Sequence, residues 1–161
     1  MEQTFEKKQH LVCGSFGVCV VENVTKLVVG REKQMSYYVL RSLSDKTKKS
    51  YIPVEHHETV LRLPLTESQA EELIEDMVKN GISIPEEETL TFSEAKEWLE
   101  SGDPIKWAKA VDYYYRRRDS LDPQMEEMLG KIWKNLREEL AFALKKNQKE
   151  IRQIVENGIK C

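Results

Sequence analysis

Residues 16–29 run Phe-Gly-Val-Cys-Val-Val-Glu-Asn-Val-Thr-Lys-Leu-Val-Val. This stretch is rich in β-branched residues and contains no proline, which favours β-structure. It is also much longer than the usual strand of about five or six residues. We therefore expect one strongly bent strand, or two strands joined near Glu22 and Asn23. Gly14 and Gly17 flank Phe16 at its start, and two glycines so close together suit a tight bend.

Two shorter strands are expected downstream, at residues 36–41 and 50–54. Polar turns at residues 30–34 and 44–49 precede them. Pro53 has no N–H to donate, which places the last strand at a sheet edge. Several short strands predict a small, curved, partly open barrel of SH3 or Tudor type. An exposed edge of such a sheet is either protected or recruits a strand from another protein.

After Leu65 the sequence carries helix signals instead. Capping boxes predict two helix starts, and an aspartate followed by proline predicts two more. These signals are Thr66 with Gln69, Thr91 with Glu94, Asp103-Pro104 and Asp122-Pro123. Glycines at Asn80-Gly81 and Ser101-Gly102 predict two helix ends.

The apolar residues between these signals follow the helical period and predict five helices. In the third helix we expect Trp107, Val111 and either Tyr114 or Tyr115 to be buried. The chain is therefore predicted to be α+β, with a β-module over residues 1–65 and a helical domain over residues 66–161.

The charges are segregated along the 161 residues, although the net charge is only −3. Residues 66–103 hold two basic and twelve acidic residues, whereas residues 104–161 hold thirteen basic and nine acidic ones. A basic face acts on a partner over about 8–10 Å, so a net negative charge does not exclude a nucleic-acid partner. The net charge does argue against a protein that binds any polyanion. There is no run of 18 apolar residues and no apolar leader segment, so we expect a cytoplasmic protein without membrane contact.

No catalytic residues, metal ligands or cofactor are predicted, and we expect the protein not to be an enzyme. Cys13, Cys19 and Cys161 form no C-x-x-C motif and are expected to be reduced thiols. The adjacent His56 and His57 could ligate one metal only from a loop, helped by Cys13, Cys19 or Glu58, and ordinary histidines are the favoured interpretation. The glycines around Ser15 lack the lysine and helix of a phosphate loop.

The third helix carries a basic, aromatic stretch. Lys106, Lys109 and Tyr113 are spaced i, i+3, i+7 and share a face, which Arg116 and Arg117 extend. Such a face could hold DNA phosphates while the tyrosine packs against sugar, with little reading of base identity. The alternative is that the cations complement the helix dipole and the tyrosines fill the core.

In both halves the sequence resembles the CarD family. The N-terminal pattern is Phe5, Leu11-Val12, Phe16-Gly17-Val18, Tyr37-Tyr38-Val39-Leu40 and Ile52-Pro53-Val54, which resembles the polymerase-interacting module that this family shares with the transcription-repair coupling factor. The C-terminal pattern is more specific. It comprises Leu99-Glu-Ser-Gly-Asp103, Tyr115-Arg116-Arg117-Arg118-Asp119, Leu121-Asp122, Met128-Leu129-Gly130-Lys131 and Glu138-Glu139-Leu140-Ala141.

The resemblance, which covers roughly residues 5–145, implies a bacterial transcription regulator. In that family the β-module adds its sheet edge to a strand of the RNA polymerase β subunit, and the helical domain lies over promoter DNA and stabilises the open complex. On this basis the polymerase-binding residues are Lys26, Ser50, Tyr51 and Ile52, and the DNA-binding residues are Lys106, Lys109, Tyr113, Arg116 and Arg117. The protein would be a monomer associated with the nucleoid through polymerase. The alternative is an adaptor with a strand-binding β-module and a dimerising helical domain that does not contact DNA.

The sequence departs from the family pattern in three places. Glutamates occupy residues 86–88, where family members commonly place a tryptophan that wedges against the minor groove. Tyr51 replaces a common basic residue, and Glu126 replaces a lysine at the start of the fourth helix.

Overall fold

The computed structural model describes residues 5–29, 33–55, 61–85 and 87–159. Five antiparallel strands form one sheet in the order β4-β3-β2-β1-β5, and five helices follow. The strands are β1 His10–Cys13, β2 Gly17–Val29, β3 Lys33–Ser42, β4 Lys49–Pro53 and β5 Leu61–Arg62. The predicted α+β architecture is confirmed.

The long apolar stretch forms one strand, β2, that carries a β-bulge. The register with β3 shifts between Val21 and Asn23, so that Glu22 has no residue opposite it in the β3 ladder. An extra residue of this kind bends a strand and increases its twist. The bent-strand alternative is therefore correct, and Glu22 instead forms an ion pair with Arg41 at 2.9 Å.

The strands differ from the predicted ones at their ends. Residues 33 and 34 were expected in a turn but belong to β3, because β2 is long enough to pair with them. Lys49, also expected in a turn, begins β4. The sequence patterns did not predict the short strands β1 and β5. The tight bend is confirmed: Gly14–Phe16 form a 3-10 turn between β1 and β2, and Gly17 has a φ of 84°.

The helices are α1 Glu67–Glu75, α2 Phe92–Ser101, α3 Pro104–Arg116, α4 Pro123–Leu144 and α5 Gln148–Ile159. All four predicted helix starts are correct, because Thr66, Thr91, Asp103 and Asp122 each accept backbone hydrogen bonds at the N-cap. After α1 the chain continues through a π-helical turn, Asp76–Asn80, and leaves it at Gly81, whose φ is 79°. α2 ends at Ser101, and the next residue, Gly102, is its C-cap in the left-handed region.

The β1–β2 hairpin contributes to two hydrophobic cores, one in each half of the chain. Tyr38, Leu40 and Ile52 are buried in a small core on one face of the sheet. Val12 and Val18, however, belong to the larger core of the helical half. Since successive side chains of a strand point to opposite faces, the β1–β2 hairpin is buried on both. The β-module and the helical domain are thus packed together.

Candidate functional site

The strand β4 forms one end of the sheet and has no neighbour on its outer side among the described residues. At the ends of its ladder with β3, Val54 N donates to Ser36 O at 2.9 Å and Ser42 N donates to Lys48 O at 3.0 Å. Hydrogen-bonded and non-hydrogen-bonded pairs alternate along an antiparallel ladder. Ser50 and Ile52 therefore direct their backbone groups inward to β3.

The remaining residues of β4 direct their backbone groups to the open edge. Lys49 and Tyr51 each present an N–H and a C=O there, whereas Pro53 presents only a C=O. The Tyr51 side chain is 52% exposed. The sequence correctly predicted an edge at this strand, and the open groups are those of Lys49, Tyr51 and Pro53.

The four residues predicted to bind polymerase do not form one side-chain surface. Ile52 is buried in the core of the β-module, on the same face as Tyr38. Tyr51 lies on the opposite face, because adjacent residues of a strand alternate. Lys26 is exposed, but it lies on β2 opposite Ser36, with β3 between it and β4. A partner strand at β4 would contact the backbone of Tyr51 without contacting Lys26.

The helix α3 exposes only a narrow stripe. Ile105, Lys109 and Arg116 are separated by four and seven residues and point in nearly the same direction, with Lys106 beside them. Lys106 and Lys109 are half-buried, and the Arg116 side chain is 48% exposed. These three cations are the part of the predicted DNA-binding set that reaches the surface together.

A buried carboxylate offsets the charge of Arg116. Its Nε donates to both carboxylate oxygens of Asp112, at 3.0 and 2.9 Å, and Asp112 is fully buried. Burial raises the pKa of Asp112, while the hydrogen bond and charge of Arg116 oppose that rise. Arg116 is therefore in part a structural residue that makes this buried carboxylate tolerable.

The expectation that Tyr113 faces DNA is not met. Its side chain is only 5% exposed, and its hydroxyl accepts a hydrogen bond from Leu90 N at 3.3 Å. The Arg117 guanidinium lies over the Tyr113 ring, 4.3 Å from its centroid. Tyr113 is buried although Lys106 and Lys109 lie near it by helical spacing, because the loop that precedes α2 and the Arg117 side chain cover its ring. Tyr114 and Tyr115, one of which was expected to be buried, are only partly so.

Arg117 fixes the loop that precedes α2. It donates to Glu88 O at 2.6 Å and to Pro85 O at 2.9 Å, and Glu88 N closes the turn on Pro85 O at 2.9 Å. This loop carries exposed Glu87 and Glu88 beside the basic end of α3. Trp98, further along α2, is partly buried and packs against the helical core.

Sequence reasoning missed the residue that joins the two halves. Arg62 of β5 forms a bidentate ion pair with Glu139 of α4, at 2.6 and 2.7 Å. Arg62 also donates to Gly102 O at 2.6 Å and lies over the Trp107 ring. Leu65 N donates to the same carboxylate at 2.8 Å. No sequence signal marks such a pair, whose members lie far apart in the chain.

The two described cysteines have a packing role. Cys13 and Cys19 are both buried in the small core of the β-module. Burial raises the pKa of Cys13 to about 11. Burial also raises the pKa of Cys19, and the neighbouring Cys13 raises it further. A neutral thiol in such surroundings is a poor nucleophile.

No group of three His, Cys, Asp or Glu side chains suited to a metal ion occurs within the described ranges. His56, His57 and Glu58, considered above as metal ligands, lie outside those ranges, as does Cys161. None of the helices in the described part of the chain combines the length and apolar character needed to cross a bilayer. No protein-family model matches the sequence, and no curated protein matches it either.

Proposed function

We propose that this protein is a bacterial transcription regulator that binds the RNA polymerase β subunit through β4 and contacts promoter DNA through α3. The motif order in the sequence supports this proposal, and the open edge of β4 carries it. An edge strand with unpaired N–H and C=O groups binds an extended strand through main-chain hydrogen bonds. Such docking makes few demands on side chains, and so accommodates Tyr51 in place of the basic residue of the family pattern.

The DNA contact is proposed to be electrostatic and weak. Lys106, Lys109 and the outer part of Arg116 can approach phosphate oxygens, which carry no base identity. Asp112 and the acidic loop at Glu87 and Glu88 lower the positive potential nearby. Binding to free DNA is therefore expected to be poor, and contact should form when polymerase holds the helical domain beside the promoter.

The joint between the two halves supports this division of roles. Arg62 and Glu139 link β5 directly to α4, and the β1–β2 hairpin is buried against the helices. A protein docked through β4 would therefore hold α3 at a fixed position. An effector that acts on DNA from a polymerase-bound module needs such a fixed position.

One observation favours the adaptor alternative. The Arg117 side chain is bound to the backbone at Glu88 and Pro85, and Arg116 is paired with Asp112. Two of the five predicted DNA contacts therefore already have partners within the protein. In the adaptor alternative, β4 still binds a strand of another protein, but Lys106 and Lys109 have no DNA to contact.

The lifetime of the open promoter complex tests the proposal. The full chain at saturating concentration should change this lifetime relative to polymerase alone. The double variant Lys106→Gln/Lys109→Gln should bind polymerase like the parent and lose most of that effect. Lysines are chosen because replacing Arg116 would leave the buried Asp112 carboxylate without its partner. Equal lifetimes with the parent and the variant, both bound to polymerase, would favour the adaptor.

A further inference from the structure

A cleft lies between the turns of the β-module and the helices α2 and α4. Its volume is about 460 Å³, which falls within the range of small-molecule sites. Ser15 and Phe16 of the β1–β2 turn, Leu99 of α2 and Met128 of α4 contribute to its walls. It contains none of the β4 backbone groups and none of the α3 cations discussed above.

Four lysines from three elements line this cleft. Lys48 lies in the turn between β3 and β4, Lys96 on α2, and Lys131 and Lys134 on α4. In the described part of the chain none of the four forms a salt bridge or a side-chain hydrogen bond. Lys96 and Lys131 remain unpaired even though Glu100 and Glu127 lie one helical turn away, a spacing that often forms ion pairs.

Serines also line the cleft, at positions 15, 42 and 44. The hydroxyl oxygens of Ser42 and Ser44 lie 3.3 Å apart, and Ser44 also bonds Glu138, so these two hydroxyl groups already have partners. The Asn135 amide, also in the lining, donates to Ser15 O at 3.1 Å and fixes the turn. Ammonium groups gathered in one cleft are the chemistry that binds phosphate oxygens.

Carboxylates offset part of this charge. Asp45 lies near two of the lysines: its pKa is lowered mainly by hydrogen bonds from Thr47 and further by Lys48 and Lys134. Glu100 and Glu138 line the cleft directly. Because Lys48 and Lys134 interact with Asp45, and Lys134 also with Glu138, we take Lys96 and Lys131 as the main cations for a ligand.

We propose that this cleft binds a phosphate group, of either a nucleotide or a single nucleic-acid strand, and that Lys96 and Lys131 are its principal contacts. The two sources share the same anion, and they differ in whether the phosphates continue along a backbone. The site is independent of the proposed polymerase docking, since it shares no contact residue with β4 or α3.

Binding of two probes to the full chain tests the site. The probes are inorganic pyrophosphate and a short single-stranded oligothymidylate, titrated by calorimetry at low salt. The variant Lys96→Gln/Lys131→Gln should weaken binding by at least about tenfold, and should lower the salt slope for the oligonucleotide by about 1.4 units. The control variant Lys79→Gln/Lys149→Gln removes the same charge from exposed helical positions outside the cleft and should change affinity by less than about twofold.

Each outcome bears on the proposal. Binding of pyrophosphate alone supports a small phosphate ligand, and binding of the oligonucleotide supports a nucleic-acid strand. Failure of the parent to bind either probe would overturn the proposal. Equal loss in the cleft and control variants would also overturn it, because the effect would then reflect net charge. Both variants change exposed side chains, and their thermal unfolding curves check that they are folded.

Discussion

Arg62 and Glu139 are separated by 77 positions in the chain, yet their side chains meet in a bidentate ion pair. Glu139 is fully buried, and three donors from the β5 region reach its two oxygens. The pair therefore joins the β-module to the longest helix at one point. A buried carboxylate is tolerated only while its partners satisfy it.

Removing Arg62 should be costly. Arg62→Ala leaves the Glu139 carboxylate buried without its cation, and the free energy of unfolding should fall by about 3–5 kcal/mol. Urea denaturation of the full chain measures this free energy of unfolding. The double variant Arg62→Met/Glu139→Leu removes both charges and should be much closer to the parent. A cost below about 1 kcal/mol for Arg62→Ala, typical of exposed pairs, would contradict the role given to this contact.

Two glycines within helices should respond in opposite ways to alanine. A Cβ at Gly158 of α5 would overlap the side chain of Val78, whereas a Cβ at Gly130 of α4 would meet nothing within 4 Å. Gly158→Ala should lower stability by about 1–3 kcal/mol through overpacking. Gly130→Ala should raise it by up to about 1 kcal/mol, since alanine favours the helix. Thermal unfolding of both variants measures these changes in stability. Stabilisation by Gly158→Ala would show that α5 is not packed so closely against the turn at Val78.

The pH dependence of stability should contain a contribution from Glu138. Its side chain is buried, and burial raises its pKa above the usual value of 4.5, against smaller opposing effects of Ser44 and nearby cations. The folded protein therefore holds this proton more tightly than the unfolded chain does. The resulting stabilisation is present below pH 4.5 and is lost as the pH rises through the folded pKa.

Comparison with Glu138→Gln isolates this contribution. The free energy of unfolding of the parent minus that of the variant should decrease as the pH rises from about 4.5 toward neutrality. Urea denaturation at several pH values in this interval gives the difference directly. A difference that stays constant or increases with pH would show that the folded state does not favour the protonated carboxyl.

The proposed contact of α3 with DNA should depend on salt concentration and not on DNA sequence. Lys106→Gln/Lys109→Gln removes up to two phosphate contacts and should lower the salt slope of promoter binding by up to about 1.8 units. The loss should be similar on unrelated promoters, because phosphates carry no base identity. Binding of polymerase–protein complexes to two promoters over a range of salt measures both quantities. A loss of binding confined to one promoter would contradict a contact that is limited to phosphates.

Most of the architecture could be predicted from local signals. The β-branched residues that end at Val29 and the four helix caps depend only on near neighbours in sequence. Each is found where it was expected. β1 and β5 could not be predicted in this way. They are short, and their pairing depends on strands brought beside them by the rest of the fold.

The candidate site was less predictable for the same physical reason. Helical spacing placed Tyr113 on the face of Lys106 and Lys109, but the loop before α2 covers Tyr113 itself. The charges of Arg116 and Arg117 were visible in the sequence, whereas their partners at Asp112, Pro85 and Glu88 depend on tertiary structure. The direction of each β4 backbone group likewise depends on the register with β3.

That register identifies the substitution that tests docking most directly. Tyr51→Pro removes an N–H from the open edge and leaves the inward hydrogen bonds of Ser50 and Ile52 in place, a position at which sheets tolerate proline. Tyr51→Thr is the matched control, since it removes the ring and keeps the N–H. Ile52→Pro would instead break the ladder with β3.

The decisive measurement is the affinity of the full chain for isolated lobes of the RNA polymerase β subunit, with parent, Tyr51→Pro and Tyr51→Thr compared. We predict that the parent and Tyr51→Thr bind with similar affinity, and that folded Tyr51→Pro binds at least about tenfold more weakly, because a backbone donor is lost and the ring of proline obstructs the partner strand. Binding of Tyr51→Pro equal to that of the parent, or no binding of the parent to any lobe, would contradict docking through β4.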